Sequence, residues 1–182
     1  VCINTIAVLG MSVLTGFTRL FSFGNAGFMS IGAYTAAILT VKFNVNFLLA
    51  IILGALFAGF IAFLLGSITL RLKGDYFLIT CLGFGECVRV LFNYTKNITG
   101  GSAGYPGIPA YSNALFSLVC VVLAFFAAWR FIHSKYGRNL TSIRENEMAA
   151  EAVGINAFRV KRMSFVFSAI YAGWAGALYG GY

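Results

Sequence analysis

Residues 47–70 read FLLAIILGALFAGFIAFLLGSITL. The stretch holds no charged side chain. It is longer than the roughly 20 residues an α-helix needs to cross a hydrocarbon core about 30 Å thick. It shows no alternation of polarity, which a membrane β-strand of about ten residues would require. Backbone groups in lipid must be satisfied within the segment itself, so this stretch reads as a membrane-crossing helix.

Working outward, the same kind of run recurs at Val1–Thr18, Ala26–Val41, Tyr76–Leu91, Asn113–Ile132 and Met163–Tyr182, with charged or Gly/Asn-rich breaks between. Over all 182 residues, 60% are hydrophobic and 10% charged, where a soluble domain carries about 45–50% and 25%. That balance excludes a soluble globular domain. We expect an all-α polytopic helical membrane protein with about six transmembrane helices. A single transmembrane domain covers residues 1–182, with a cytoplasmic loop at 133–162. No methionine precedes Val1, and Tyr182 ends inside an apolar run, so we expect a fragment. Val1–Phe17 lacks the basic start and small-residue cleavage site of a signal peptide and reads as a span.

The formal net charge is +8. The basic residues sit at the ends of the runs rather than on one continuous face. That excludes a nucleic-acid partner and points to the lipid bilayer. The longest polar stretch, His133–Arg162, carries Lys135, Arg138, Arg144, Arg159, Lys161 and Arg162. Basic loops stay inside, so this stretch is expected to be cytoplasmic. Alternating the spans then puts Arg19, Arg71, Lys73 and Arg130 inside as well, ten residues in all, against Lys42 and Lys96 outside.

Groups for covalent chemistry are scarce. Asp75, Glu86, Glu145, Glu147 and Glu151 are the acids, and His133 is the one histidine. No metal cluster or nucleophile triad can be built from them, so no enzymatic activity, metal or cofactor is expected. The four cysteines, Cys2, Cys81, Cys87 and Cys120, fall in apolar runs without metal-ligand spacing. Gly100–Gly104 lacks the Gly-Lys-Ser/Thr ending of a phosphate-binding loop. The segment 93–112 (NYTKNITGGSAGYPGIPAYS) is expected as an outer loop that touches a substrate-binding partner, lines the outer vestibule or merely connects.

Four features carry more information. Glu86 and Arg89 lie three apart on one run and are neighbours on a helix face. Glu86 sits about 15 Å past Tyr76, near mid-membrane. Ionisable groups there face protein or a cavity, so the pair is either a gate on the translocation path or a structural ion pair. Phe21–Gly27 (FSFGNAG) brings together Gly24, Asn25 and Gly27. It is either a cytoplasmic turn or unwound backbone lining the path. Ala169, Gly173, Gly176 and Gly180 form a small-residue stripe suited to close helix packing, as do Gly54, Ala58 and Gly59. Finally, Ser142-Ile143-Arg144-Glu145 has the form of a capping box. A helix is expected from it through Val153, closed by Gly154, with Ile143, Ala150 and Val153 on one side. Its mixed charges suit a groove on a protein partner.

Three blocks resemble one family. FSFGNAGFMSIGAYTAA (21–37) is similar to a segment of the form SLGHAAFFGIGAYTAA. Residues 74–109, with GDYFLITCLGFGECVRVLFN and TGGSAGYPGIP, resemble a YFAxxTLAFGExxR helix followed by TGGxxGLxGIP. Residues 136–180 resemble FGRALxAIRENExAAxxLGI and a following KLxAFxxSAxxAGLAGALY helix. The chain thereby resembles the permease subunits of branched-chain amino acid ABC importers. The resemblance implies a subunit of an ATP-driven importer in the bacterial inner (plasma) membrane, for branched-chain or other aliphatic amino acids. Its implied partners are cytoplasmic ATPase subunits, which bind the ATP, a second permease subunit, and a periplasmic or extracellular solute-binding protein. It also implies that Arg144, Glu145, Asn146, Glu147, Ala149, Ala150 and Gly154 form an ATPase-coupling helix. The general importer pattern places a glutamate where Met148 stands; Glu147 comes one residue early. A related permease for urea, short amides or sugars remains open beside this reading. So does an ion-coupled secondary carrier using Glu86.

Overall fold

The computed structural model describes residues 1–18, 22, 24–43, 46–72, 75–95 and 114–181, without the side chains of Asp75 and Ala114. Eight helices occur among them: α1 (Cys2–Thr18), α2 (Asn25–Phe43), α3 (Phe47–Thr69), α4 (Asp75–Tyr94), α5 (Ala114–Ile132), α6 (Lys135–Glu145), α7 (Glu147–Ala152) and α8 (Ala157–Gly180). The described residues contain no strand, as the all-α expectation requires. The apolar runs coincide with α1 to α5 to within a few residues.

Among the described residues, four helices are long and apolar enough to cross a membrane: α2, α3, Tyr76–Tyr94 of α4 and Leu115–Ile132 of α5. The expectation of about six spans is thus met by composition for four. The apolar α1 has 17 residues. α8 has 24 residues, long enough for a core about 30 Å thick. It differs in kind. Its first turns carry Arg159, Lys161 and Arg162, and the rest is rich in Ala, Gly, Ser, Tyr and Trp.

That composition follows from position. α8 is the hub, packed against α1, α2 and α3. In lipid the hydrophobic effect does not drive helices together, so they associate by close van der Waals contact, and small residues permit it. A Cβ on Gly176 would collide with the Met29 backbone carbonyl, and one on Gly32 with the backbone of Gly173. A Cβ on Gly54 would lie 2.9 Å from the Gly32 carbonyl oxygen. α2, α3 and α8 therefore meet backbone to backbone, as the small-residue stripes predict.

Aromatic rings fill the space where backbones diverge. Phe28 of α2 lies 5.6 Å from Phe165 of α8 and 5.1 Å from Phe84 of α4. Tyr171 of α8 donates its hydroxyl to the Ala124 carbonyl of α5 at 2.8 Å. Phe131 stacks on Phe167 at 4.1 Å, joining the same two helices. All four cysteines are free thiols.

Candidate functional site

Two regions hold the polar residues singled out above. The first is the segment joining α5 to α8. Gly137 permits its entry, because a Cβ there would strike the Ile132 carbonyl. α6 then runs from Lys135 through Glu145, so Ser142 lies inside a helix already under way. Its hydroxyl donates to the Arg138 carbonyl at 3.2 Å instead of capping. The expected capping box is thus corrected. The chain breaks four residues later at Asn146, whose extended backbone ends α6 and begins α7. Asn146 Oδ1 accepts from the Ala149 N–H at 3.1 Å.

α7 ends as expected at Gly154, by a left-handed turn with φ of 87°. The Gly154 N–H donates to the Glu151 carbonyl at 2.9 Å, and the Ile155 N–H to Ala150 at 3.0 Å. That pair of bonds is a Schellman closure, in which glycine carries the positive φ at least cost. Asn156 then caps α8, accepting from the Arg159 N–H at 3.0 Å.

The short helix is fastened from inside. Ala150 is buried with Leu140, Ile143, Ala157 and Val160. Arg144 donates to the Gly16 carbonyl near the end of α1 at 3.2 Å and pairs with Glu145 at 3.1 Å. Lys161 of α8 pairs with Glu147 at 2.6 Å. Within the expected coupling set, Arg144, Glu145, Asn146, Glu147 and Ala150 are therefore engaged with this chain, while the Ala149 side chain is exposed. Val153 is corrected too: it does not share the buried side of Ile143 and Ala150 but is 82% exposed, and Met148 is 83% exposed. Sequence reading missed both as outward apolar groups. The signal was present in Met148, an apolar side chain where the general importer pattern has an acid.

The second region is the outer side of α4. Phe77 and Cys81 are its only fully buried residues among the described side chains, and with Phe84, Val88 and Phe92 they face α2 and α8. Glu86 and Arg89 lie away from that seam. Arg89 Nη1 donates to Glu86 Oε2 at 3.2 Å, with the two side chains 71% and 58% exposed respectively. The pair is formed, as spacing predicts, but it does not lie within this chain's packing.

Gly24 and Asn25 stand where α2 begins, and Gly27 is buried on its first turn. A Cβ on Gly24 would come 3.1 Å from the Cys81 carbonyl oxygen, and one on Gly27 would come 3.2 Å from Gly85 Cα. These glycines let α2 approach α4 closely. Whether the chain before them is a cytoplasmic turn or unwound backbone turns on residues 19–21 and 23, which lie outside the described residues. So does most of the expected outer loop, 96–112. No group of three or more His, Cys, Asp or Glu able to hold a metal occurs among the described residues.

Comparison with known proteins agrees with this arrangement. The family model described as "Branched-chain amino acid transport system / permease component" matches residues 1–182. The chain is 34% identical over 205 aligned residues to the high-affinity branched-chain amino acid transport system permease protein LivM of Escherichia coli, covering 94% of this chain and 48% of that protein. It is 29% identical to a branched-chain amino acid transport permease protein LivM of Methanocaldococcus jannaschii, over 71% of this chain and 41% of that protein. It is 24% identical to the nucleoside ABC transporter permease protein NupC of Lactococcus lactis, over 86% of this chain and 57% of that protein. The chain spans about half the length of these curated relatives. No solved structure matches it.

Proposed function

We propose, for a chain that belongs to the family of branched-chain amino acid transport permeases, that it serves as a membrane subunit of an ATP-driven importer, with α7 as the helix its ATPase partners move. The family is one of inner-membrane transport permeases, not of enzymes. In this reading the chain catalyses no covalent step and binds no nucleotide; cytoplasmic ATPase subunits hold the ATP. A second permease completes the translocation path, and a solute-binding protein delivers a branched-chain or other aliphatic amino acid from outside.

The observation that carries the proposal is the construction of α7. It is capped at Asn146, closed at Gly154 and tied to α8 by Glu147, and the adjoining α6 is held to α1 by Arg144. Yet α7 presents Met148 and Val153, 83% and 82% exposed, to the side the basic residues mark as cytoplasmic. Two large apolar groups held rigidly in water fit the anchor-in-pocket mode of protein recognition. Closure of the ATPases would pass through α7 to α8 and, by way of α6, to α1. Free energy enters only as a difference in contact between two conformations.

The test is the double substitution Met148→Asp, Val153→Asp in the full transporter. These side chains touch little within the chain, so expression and membrane insertion should hold. ATPase co-purification and amino-acid uptake should each fall at least about tenfold, as for loss of an interface anchor. Undiminished uptake would end the proposal. For the solute, the LivM likeness favours branched-chain amino acids. The NupC likeness supplies the competing solute class, and nucleosides in the same uptake assay distinguish the two.

A further inference from the structure

The cytoplasmic end of α8 opens onto a cavity of about 510 Å³ that the coupling argument does not use. Lys135 at the start of α6 and Arg159 and Arg162 on α8 line it, with Asn139 and Asn156 beside them. No carboxylate lines it. Arg162 is braced in place: its guanidinium sits 4.4 Å from the Phe63 ring centre and donates to Ser67 Oγ at 3.3 Å. Lys161, one residue before Arg162, is already spent on Glu147. Lys135 and Arg159 have no carboxylate partner among the described residues. The first turn of α8 adds the positive end of a helix dipole. Together these make a concentrated, uncompensated positive site.

The cavity does not stop at the charges. Arg162 and Met163 also line a second, apolar hollow of about 200 Å³ between α3, α5 and α8, walled by Val166, Phe167 and Ile170. Ile170 is shared in turn with a third of about 480 Å³, reaching Trp174 and walled almost wholly by carbon. The three join end to end along one stripe of α8. From Arg162 to Ile170 the first two hollows run about 12 Å along α8, within the cytoplasmic half of a core about 30 Å thick; the third, walled by Leu48 and Phe116 near the outer ends of α3 and α5, lies beyond them in the other leaflet. A cationic head pocket at the cytoplasmic end, opening onto an apolar hollow between α3, α5 and α8 in the same leaflet, matches one class of molecule. Basic pockets between helices on the cytoplasmic side take up anionic lipid headgroups.

We propose that the groove along α8 binds one anionic phospholipid of the cytoplasmic leaflet, its phosphate on Lys135, Arg159 and Arg162 and an acyl chain between α3 and α5. Val153 and Gly154 line the same head pocket, so the lipid would sit against the closing turn of α7. The inference rests on the cytoplasmic placement of residues 133–162 and not on the identity of the solute.

The full transporter is incorporated into nanodiscs of phosphatidylcholine with one quarter phosphatidylglycerol, and retained lipid is measured by native mass spectrometry. Wild type should retain phosphatidylglycerol well above its share. The double variant Lys135→Ala, Arg159→Ala should bind it about twenty-fivefold more weakly, at roughly fivefold per basic residue. Met163→Trp, which obstructs the junction of head pocket and apolar hollow, should lower retention while keeping every charge. It serves if the double variant does not assemble. Soluble glycerol phosphate, a headgroup without tails, should not compete. Equal retention of both lipids, no change in either variant, or displacement by glycerol phosphate would each overturn the proposal, the last by identifying a free-phosphate site.

Discussion

α8 and α4 are helices of similar length with opposite surroundings. α8 is enclosed by α1, α2 and α3; α4 shows most of its surface to whatever lies outside the chain. α4 meets the composition criterion for crossing a membrane and α8 does not. Hydropathy therefore tells what a helix shows to lipid, not where it sits in a bundle. The innermost helix can relax its apolarity because other helices replace the lipid around it. What marks it instead is small residues at helical spacing, which matter only where a neighbour is close.

The contrast can be broken most forcefully at glycine. Gly176→Leu in α8 must displace the Met29 backbone. Overpacking costs about 1–3 kcal/mol and more where backbone is struck, so folded, monodisperse protein should largely disappear in size-exclusion profiles. A Cβ on Gly83 in α4 meets no atom within 4 Å, so Gly83→Leu should leave the subunit folded. If both variants behave alike, the assignment of hub and rim is wrong. Should Gly83→Leu fold but fail to assemble, a second subunit covers that face.

Glu86→Gln sharpens the same comparison. On a hydrated path the exposed pair contributes less than about 1 kcal/mol, and the variant should fold normally with altered uptake. Against lipid, the substitution would strand Arg89 in hydrocarbon at a cost of about 2.5–3.5 kcal/mol, and thermal stability would fall visibly. We expect the first outcome, which places this side of α4 on the path or the partner.

The smallest effects test the cytoplasmic end. Asn146→Ala should cost about 1 kcal/mol through loss of its cap. Ser142→Ala should change melting little, since its hydroxyl only bonds back within α6. The reverse ranking would restore the capping box at Ser142.

These variants also show where sequence was sufficient. α3 was legible almost to the residue because Phe47–Thr69 is bounded by polar breaks and nothing inside contradicts the pattern. The stripe from Ala169 to Gly180 was legible because glycine four apart has few other uses in a membrane. Ser142 misled because Ser-x-x-Glu marks a start only where the chain enters a helix, and Gly137 had already begun one. The true cap, Asn146, lacked the expected acid three residues on. The start of α8 was hidden because Arg159, Lys161 and Arg162 look like loop, although a capped helix emerging from a membrane carries such residues readily. The exposure of Glu86 and Arg89 could not be read at all: spacing brings two side chains together but does not choose the face they share.

The bond from Glu147 to Lys161 has a mechanical consequence. It clamps α7 to the foot of a rod about 36 Å long that packs closely against α1, α2 and α3. A tilt of about 10° at that foot would swing the far end by roughly 6 Å, about one helical turn. A small displacement where two salt-bridged side chains meet thus has the leverage to move the opposite surface of the membrane.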